Sequence, residues 1–251
     1  MLNKIINNYY LYLNIIYHFI INSFRHVRNS KKKNPFFHKT PSYINIHKGK
    51  DFLIILNGPS ILKYKKELIQ FSKKQNLISI TCNKSGNFLY SDYNIFINKN
   101  RFLSSNIDEN KSKKILLSSY FDKKIYYKLT KKFSIEILPN EIMHISNKPR
   151  FYLRKGIIYH SKANGGIISI LSAVNMGAKN IYIAGMDGHI DGSNNHFYNE
   201  TDMTSNNIKH DDLNNYLFLK LITSKKKELN IDKLKIITPT KLNEFYEKFF
   251  D

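Results

Sequence analysis

One loop concentrates the side chains able to move protons. From Gly185 to Asp202 the chain reads GMDGHIDGSNNHFYNETD, which brings Asp187, His189, Asp191, His196, Tyr198 and Glu200 together, and His210 and Asp211 follow shortly after. A histidine titrates near neutrality and can take a proton from a hydroxyl, while a neighbouring His or Tyr can donate to a departing phosphate. The same Asp and His side chains could ligate a metal, but their spacing matches no established ligand motif, so no metal is expected. A long, polar, glycine-bearing segment of this kind is the sort of loop that carries function.

A second group of candidates sits where apolar runs stop. FLIIL ends in Asn57-Gly58-Pro59-Ser60. Gly58 lets the backbone approach closely, Pro59 stiffens the turn, and Ser60 is a good N-cap for the helix pattern that follows. The start of such a helix offers unpaired N–H groups and the positive end of a dipole to an anion. The turn is neither a Walker A loop nor a GxGxxG fingerprint. LISITC ends at Asn83, and YNIFIN ends in Asn98. An amide both donates and accepts, which suits a nucleobase edge or ribose hydroxyls, although Asn is also a common turn residue. In SKANGGIISI, Asn164, Gly165 and Gly166 open another helix and define a second N-terminal anion position.

These candidates need a scaffold. Short apolar runs at residues 52–56, 77–82, 93–98, 114–119, 181–185 and 234–239 read as strands. Helical patterns run through SILKYKKELIQFSKK, GGIISILSAVNM (ended by Gly177), DDLNNYLFLKLITSKKKEL and KLNEFYEKFF. Residues 120–160 are rich in Tyr, Phe and Lys and receive no firm element. Strands alternating with helices predict an α/β fold, a Rossmann-like, mostly parallel sheet with helices on both faces. In such a sheet ligands bind beyond the carboxyl ends of the strands, where both groups of candidates fall.

Composition narrows the partners. The 251 residues carry 40 Lys and Arg against 19 Asp and Glu, a formal charge of +21. The lysines are scattered rather than gathered on one face, so the charge fits small anions or an anionic membrane surface better than nucleic acid, which is not an expected partner. A single cysteine, Cys82, excludes an intrachain disulfide and a Cys-rich metal site. Residues 1–24 form an apolar, aromatic segment that predicts an N-terminal helix, followed by the basic, proline-bearing stretch 25–50, read as a linker, and a catalytic domain over 51–251. The run from Tyr9 to Phe24 is short and punctuated for a membrane span, but an aromatic helix with a basic flank suits the membrane interface. Packing of that helix on the domain or on another subunit is the alternative, and an oligomer is compatible with it.

The ordered islands LNGPSI, TCN, FINKN and GAKNIYIAGMD resemble the bacterial sialyltransferases that act on lipooligosaccharide and use CMP-activated sialic acid. The similarity covers roughly residues 51–240 in short islands. It implies a modified Rossmann domain with no metal or other cofactor beyond the CMP-sugar donor. It also implies Asn57, Gly58, Ser60, Asn83 and Asn98 as nucleotide contacts, with Asn164 and Gly165 beside the phosphate or sugar. His210 matches the region of the family's base, which deprotonates the acceptor hydroxyl in an inverting displacement, with His189 as the alternative. That family places two tyrosines after a GID sequence to hold the leaving phosphate. Here Asp187 is followed by His189 near the first position and His196 or Tyr198 near the second, so help to the leaving group survives while sialic acid as donor does not follow. The implied setting is lipooligosaccharide or capsule biosynthesis, with a glycan or glycolipid acceptor, at the cytoplasmic face of the plasma membrane. A strand, a Gly-Pro-Ser turn and a late GA–strand–G–D island also resemble the pterin diphosphokinase-like domain, some of whose members are linked to flagellin modification. A non-catalytic, membrane-docked protein that keeps a nucleotide fold is the third possibility.

Overall fold

The computed structural model describes residues 43–105, 112–118, 135–143, 148–161, 163–188 and 208–250. In chain order its elements are β1 (Phe52–Ile55), α1 (Ser60–Lys63), α2 (Lys65–Lys74), β2 (Ile78–Cys82), α3 (Ser85–Phe88), β3 (Tyr93–Phe96), α4 (Lys99–Leu103), β4 (Lys114–Ser118), β5 (Ile135–Leu138), β6 (Asn140–Ile142), β7 (Phe151–Arg154), β8 (Ile157–His160), α5 (Gly165–Asn175), β9 (Asn180–Ala184), α6 (Ile208–Ser224), α7 (Lys226–Leu229) and β10 (Lys233–Ile236). Seven strands form one parallel sheet in the order β10-β9-β1-β2-β3-β4-β5. The α/β, Rossmann-like reading therefore holds.

The central strand shows why a continuous apolar run was needed. All four residues of β1 are buried. Successive side chains of a strand point to opposite faces. Phe52 and Ile54 enter one core with α5 residues Ile167, Ile170 and Leu171 and α6 residues Phe218, Leu219 and Ile222. Leu53 and Ile55 enter the other with Ile61, Leu68 and Leu77. α5 is the buried centrepiece, with only its first-turn Gly166 among residues 165–175 reaching partial exposure. It ends as expected at Gly177, whose φ of +89° is glycine's own territory.

Three expectations change. The helix expected over residues 60–74 is broken at Tyr64, with φ −101° and ψ 23°, into α1 and α2. KLNEFYEKFF forms only a 3₁₀ turn, Asn243–Phe245. Beyond it the chain runs beside β10, with Ile236 bridged to Tyr246 and the Glu247 N–H donating to Ile236 O at 2.9 Å. Phe249 and Phe250 then pack on Phe71, and Phe250 stacks on Tyr64, so aromatic packing outweighs helix propensity. The unassigned stretch supplies β5 and a second sheet, ordered β6-β8-β7. Its β7–β8 hairpin turns through Lys155 at φ 50° and Gly156 at φ 79°, the two left-handed positions of a tight hairpin.

Residues 43–50, within the stretch read as a linker, pack on this unit. Tyr43 is buried in the main core, and the Asn45 and His47 N–H groups donate to Asn175 O and Met176 O, both at 2.9 Å. Among the described residues no helix is long and apolar enough to cross a membrane. The N-terminal segment 1–24 lies outside the described residues.

Candidate functional site

The winding of the sheet reverses between β1 and β9, which are hydrogen-bonded neighbours. At such a switch point the loops leaving the two strands commonly diverge to open a ligand crevice, whereas here they are tied together. The loop after β1 is Asn57–Ser60, and the loop after β9 begins at Gly185. The Gly58 N–H donates to Gly185 O at 2.9 Å. Ser60 donates its N–H at 2.7 Å and its hydroxyl at 2.5 Å to the two carboxylate oxygens of Asp187.

This corrects the reading of the Gly-Pro-Ser turn as an anion cradle. The anion at the start of α1 is the chain's own Asp187. Pro59, not Ser60, is the capping residue, and no side chain caps α1. Gly58 makes room for the same contact, since a Cβ there would stand 2.5 Å from Asp187 Cγ and 2.6 Å from Gly185 O. Burial pushes the Asp187 carboxyl above its ordinary range, and the two Ser60 bonds oppose that rise.

Asn57 and Asn83 follow the carboxyl ends of the neighbouring strands β1 and β2. Asn57 is buried, and its Oδ1 accepts from the Ser85 N–H at 3.2 Å, which ties β1 to α3. The Ser85 hydroxyl is fully buried, 2.8 Å from Ile55 O, and accepts from the Cys82 N–H at 2.9 Å. This staple was not singled out in the sequence, where a serine among NKSGNF resembles any turn residue. Asn83 is 1% exposed and left-handed, with φ 55°. Its N–H donates to Ile95 O at 2.9 Å, and its backbone carbonyl accepts from Asn94 Nδ2 at 3.1 Å. Its side-chain Oδ1 is buried and has no partner among the described residues.

That unpaired amide lies against the start of α5. A Cβ on Gly165 would stand 3.5 Å from Asn83 Nδ2 and 2.6 Å from Cys82 Sγ. Only a glycine lets the helix N-terminus settle this closely on the end of β2. Asn164 caps α5, its Oδ1 accepting from the Ile167 N–H at 3.1 Å. Its Nδ2 donates to Asn215 Oδ1 on α6 at 2.7 Å. α6 follows the loop leaving the carboxyl end of β9 and leads to the amino end of β10, so its N-terminal turn lies on the carboxyl side of the sheet. His210 is in that turn, roughly 7.5 Å along the helix axis from Asn215.

Asn98 stands apart from this cluster in role. It is exposed, and its Oδ1 caps α4 by accepting from the N–H groups of Asn100 and Arg101 at 2.8 and 3.2 Å. His189, His196 and Tyr198 lie outside the described residues, as do Asp191 and Glu200. Among the described residues no cluster of three His, Cys, Asp or Glu side chains could hold a metal.

A buried histidine supports the turn into α5. His160, the last residue of β8, is 2% exposed, and its Nδ1 accepts from the Ala163 N–H at 3.1 Å. Nδ1 is thus unprotonated and the proton of the neutral ring sits on Nε2, which lies 3.4 Å from the side-chain nitrogen of Asn140 without a hydrogen bond between these two donors. Asn140 Oδ1 accepts from the Ser118 hydroxyl at 2.9 Å. Burial pushes the His160 pKa down to about 4. These residues carry no joint signal in the sequence, because Ser118, Asn140 and His160 lie about twenty residues apart along the chain.

No protein-family model matches this chain, and no curated protein matches it by sequence. Among solved structures it is similar to one described as the crystal structure of a mammalian sialyltransferase, with a TM-score of 0.35 and 10% identity, over 74% of this chain and 69% of the other.

Proposed function

We propose that this chain is a glycosyltransferase that takes a sugar from a CMP-sugar donor and passes it to a bacterial surface glycan or glycolipid. The observation that carries the reading is the Asn83 amide at the end of β2, whose Oδ1 is buried without a partner among the described residues and whose Nδ2 lies at the α5 N-terminus. A buried amide oxygen is costly without a donor, and a nucleotide supplies N–H and O–H groups. The N-terminus of α5 offers backbone N–H groups and a positive dipole to the adjoining phosphate. Asn57 positions the wall on which Asn83 sits, through Ser85. In the reaction the acceptor hydroxyl attacks the anomeric carbon from the face opposite the nucleotide. The carbon–oxygen bond to CMP breaks, CMP leaves with the electron pair, and the hydroxyl proton passes to His210 or, alternatively, His189. Donors along the loop from Asp187 to Tyr198 would then meet the developing charge on the phosphate. The N-terminal segment docks the enzyme on the inner face of the plasma membrane.

Calorimetric titration with CMP and with Mg–ATP tests the donor. CMP binding without ATP binding is expected, and ATP with magnesium but not CMP would replace this reading with diphosphate transfer. His210→Ala and His189→Ala test the base. Loss of transfer with retained CMP affinity identifies it, and full transfer in His210→Ala removes His210 from that role.

A further inference from the structure

The small β6-β8-β7 sheet carries an aromatic and cationic face that the nucleotide site does not use. Among the described residues β7 is an edge strand, paired only to β8. Phe151 turns into the main core, while Tyr152 and Arg154 lie on the opposite, exposed face. Arg150, exposed and one position ahead of the strand, extends the pairing, because its carbonyl accepts from the Ser161 N–H at 2.9 Å. Arg150, Tyr152 and Arg154 therefore recur every second residue, which spaces the two arginines about 13 Å apart with the tyrosine between them.

Tyr152 does not stand alone. It is paired in register with Tyr159, and the two rings stack with centroids 4.4 Å apart at 10°. Tyr152 is 45% exposed. Arg154 lies close enough to the pair to hold the Tyr159 phenol down against the rise that burial and Glu141 impose. Cavities of about 510 and 420 Å³ flank Tyr152. The larger is lined by Arg150, Phe151, Ser161 and Leu221, and the smaller by Arg154, Lys155 and Gly156. Lys225 lines both and is ion-paired with Glu228 at 2.9 Å. Among the described residues, the acidic groups beside these cavities and tyrosines are Glu141, beyond Tyr159 on β6, and Glu228.

We propose that this Arg150–Tyr152–Arg154 column is a binding subsite for an acidic oligosaccharide, the acceptor of the transfer reaction; this rests on the reading of the chain as a glycosyltransferase. The stacked tyrosines give one flat apolar platform for the C–H face of a sugar ring, and the flanking guanidinium groups meet carboxylates or phosphates on its neighbours. Single-stranded nucleic acid suits the site less well. Bases need open faces on successive aromatic rings, whereas these two rings close on each other. The Arg150 end of the column lies beside the end of β8 that leads toward α5, since Phe151 pairs with His160. β8 leads from Tyr159 to His160 and on to Asn164 at the start of α5, so an acceptor lying here can extend toward the α5 N-terminus.

Binding of the full-length protein to oligogalacturonate and to its neutral methyl ester tests this, with oligo-dT as competitor and CMP affinity measured on the same samples. The wild type is expected to bind the acidic oligosaccharide at least tenfold more tightly than the ester. Arg150→Gln/Arg154→Gln should abolish that preference, Tyr152→Ala should weaken binding to both sugars about tenfold, and CMP affinity should stay within twofold. The two arginines are exposed, so the double variant remains informative even if Tyr152→Ala fails to fold. Equal binding of acid and ester, binding unchanged by the double variant, or displacement by oligo-dT at equal concentration each overturns the subsite. Retained oligosaccharide effects in a protein that binds no CMP would overturn the donor assignment and leave the subsite standing.

Discussion

Ser60 donates both its backbone N–H and its hydroxyl to Asp187, and so closes the loop after β1 onto the loop after β9. Together with the Gly58–Gly185 bond, the contact ties the two loops at the switch point together. It also places a half-buried carboxylate where loss of solvent raises its pKa. A raised carboxylate pKa means that the folded state binds a proton more readily than the unfolded chain, so ionised Asp187 costs stability as pH rises above the ordinary carboxylate range. Asp187→Asn keeps an acceptor for the Ser60 N–H and gives the hydroxyl a donor, without the charge. Its melting temperature at pH 7 is expected to match or exceed the wild type's, with the advantage shrinking toward pH 4. Asp187→Ala removes both acceptors and should cost about 1–3 kcal/mol. Thermal melts of the three proteins from pH 4 to 8 decide this, and a steep loss in the Asn variant at pH 7 would show that the charge itself holds the two loops together.

Asn83 couples a left-handed backbone to an unpaired amide, and two substitutions separate these features. Asn83→Gly adopts φ 55° without strain but has no amide. Asn83→Ala also lacks the amide and in addition pays about 1–2 kcal/mol for the left-handed conformation. Both should lose CMP affinity by roughly tenfold, about 1.4 kcal/mol, while only the alanine variant melts several degrees lower. Calorimetry and thermal melts give the two readouts. CMP affinity unchanged in Asn83→Gly would remove Asn83 from the nucleotide site.

The parallel sheet was legible because its strands are buried on both faces and so read as unbroken apolar runs, as in Phe52–Ile55. The start of α5 at Asn164-Gly165 was legible as well, since the residues that open a helix are local in sequence. The roles of Ser60 and His160 were not. Each depends on a neighbour that only the fold supplies: Asp187 is 127 residues from Ser60, and Asn140 is 20 from His160 across an intervening strand. Asn57, Asn83 and Asn98 looked equivalent as strand-end amides. The fold divides them: Asn57 ties β1 to α3, Asn98 caps an exposed helix, and Asn83 has a buried oxygen without a partner among the described residues.

His160 sets an acid limit on the turn that carries Asn164. Its ordinary pKa of 6.5 is pushed down to about 4 by burial. Below pH 6.5 the unfolded chain takes up a proton that the folded protein refuses until about pH 4, so stability falls across that window and is unaffected by this group above it. The full effect is on the order of 3 kcal/mol. Protonation also removes the Nδ1 acceptor of the Ala163 N–H. His160→Asn, which can still accept that hydrogen bond, should flatten the profile between pH 6.5 and 4 while lowering stability at pH 7. Urea unfolding at pH 7, 5.5 and 4.5 measures it, and parallel profiles for the two proteins would assign the acid sensitivity to other groups.

Gly165 and Cys82 define how closely α5 settles on β2. A Cβ on Gly165 would come within 2.6 Å of Cys82 Sγ, in a core where neither the strand end nor the helix start can shift without disturbing Asn83. Gly165→Ala should therefore cost about 1–3 kcal/mol through overpacking, despite alanine's better helix propensity. The thiol is buried and its pKa is raised to about 11, so it stays protonated and acts only as volume. Cys82→Ala removes the clashing atom and should by itself cost about 1 kcal/mol of buried area. In the double variant the new methyl enters the space the sulfur left, so stability should recover above that of Gly165→Ala alone, with a coupling of at least about 1 kcal/mol. CMP affinity should follow the same order, because displacement of the helix start carries its N–H groups away from the phosphate. Additive losses in the double-mutant cycle would mean that the backbone yields at Gly165 and that this contact does not set the position of α5.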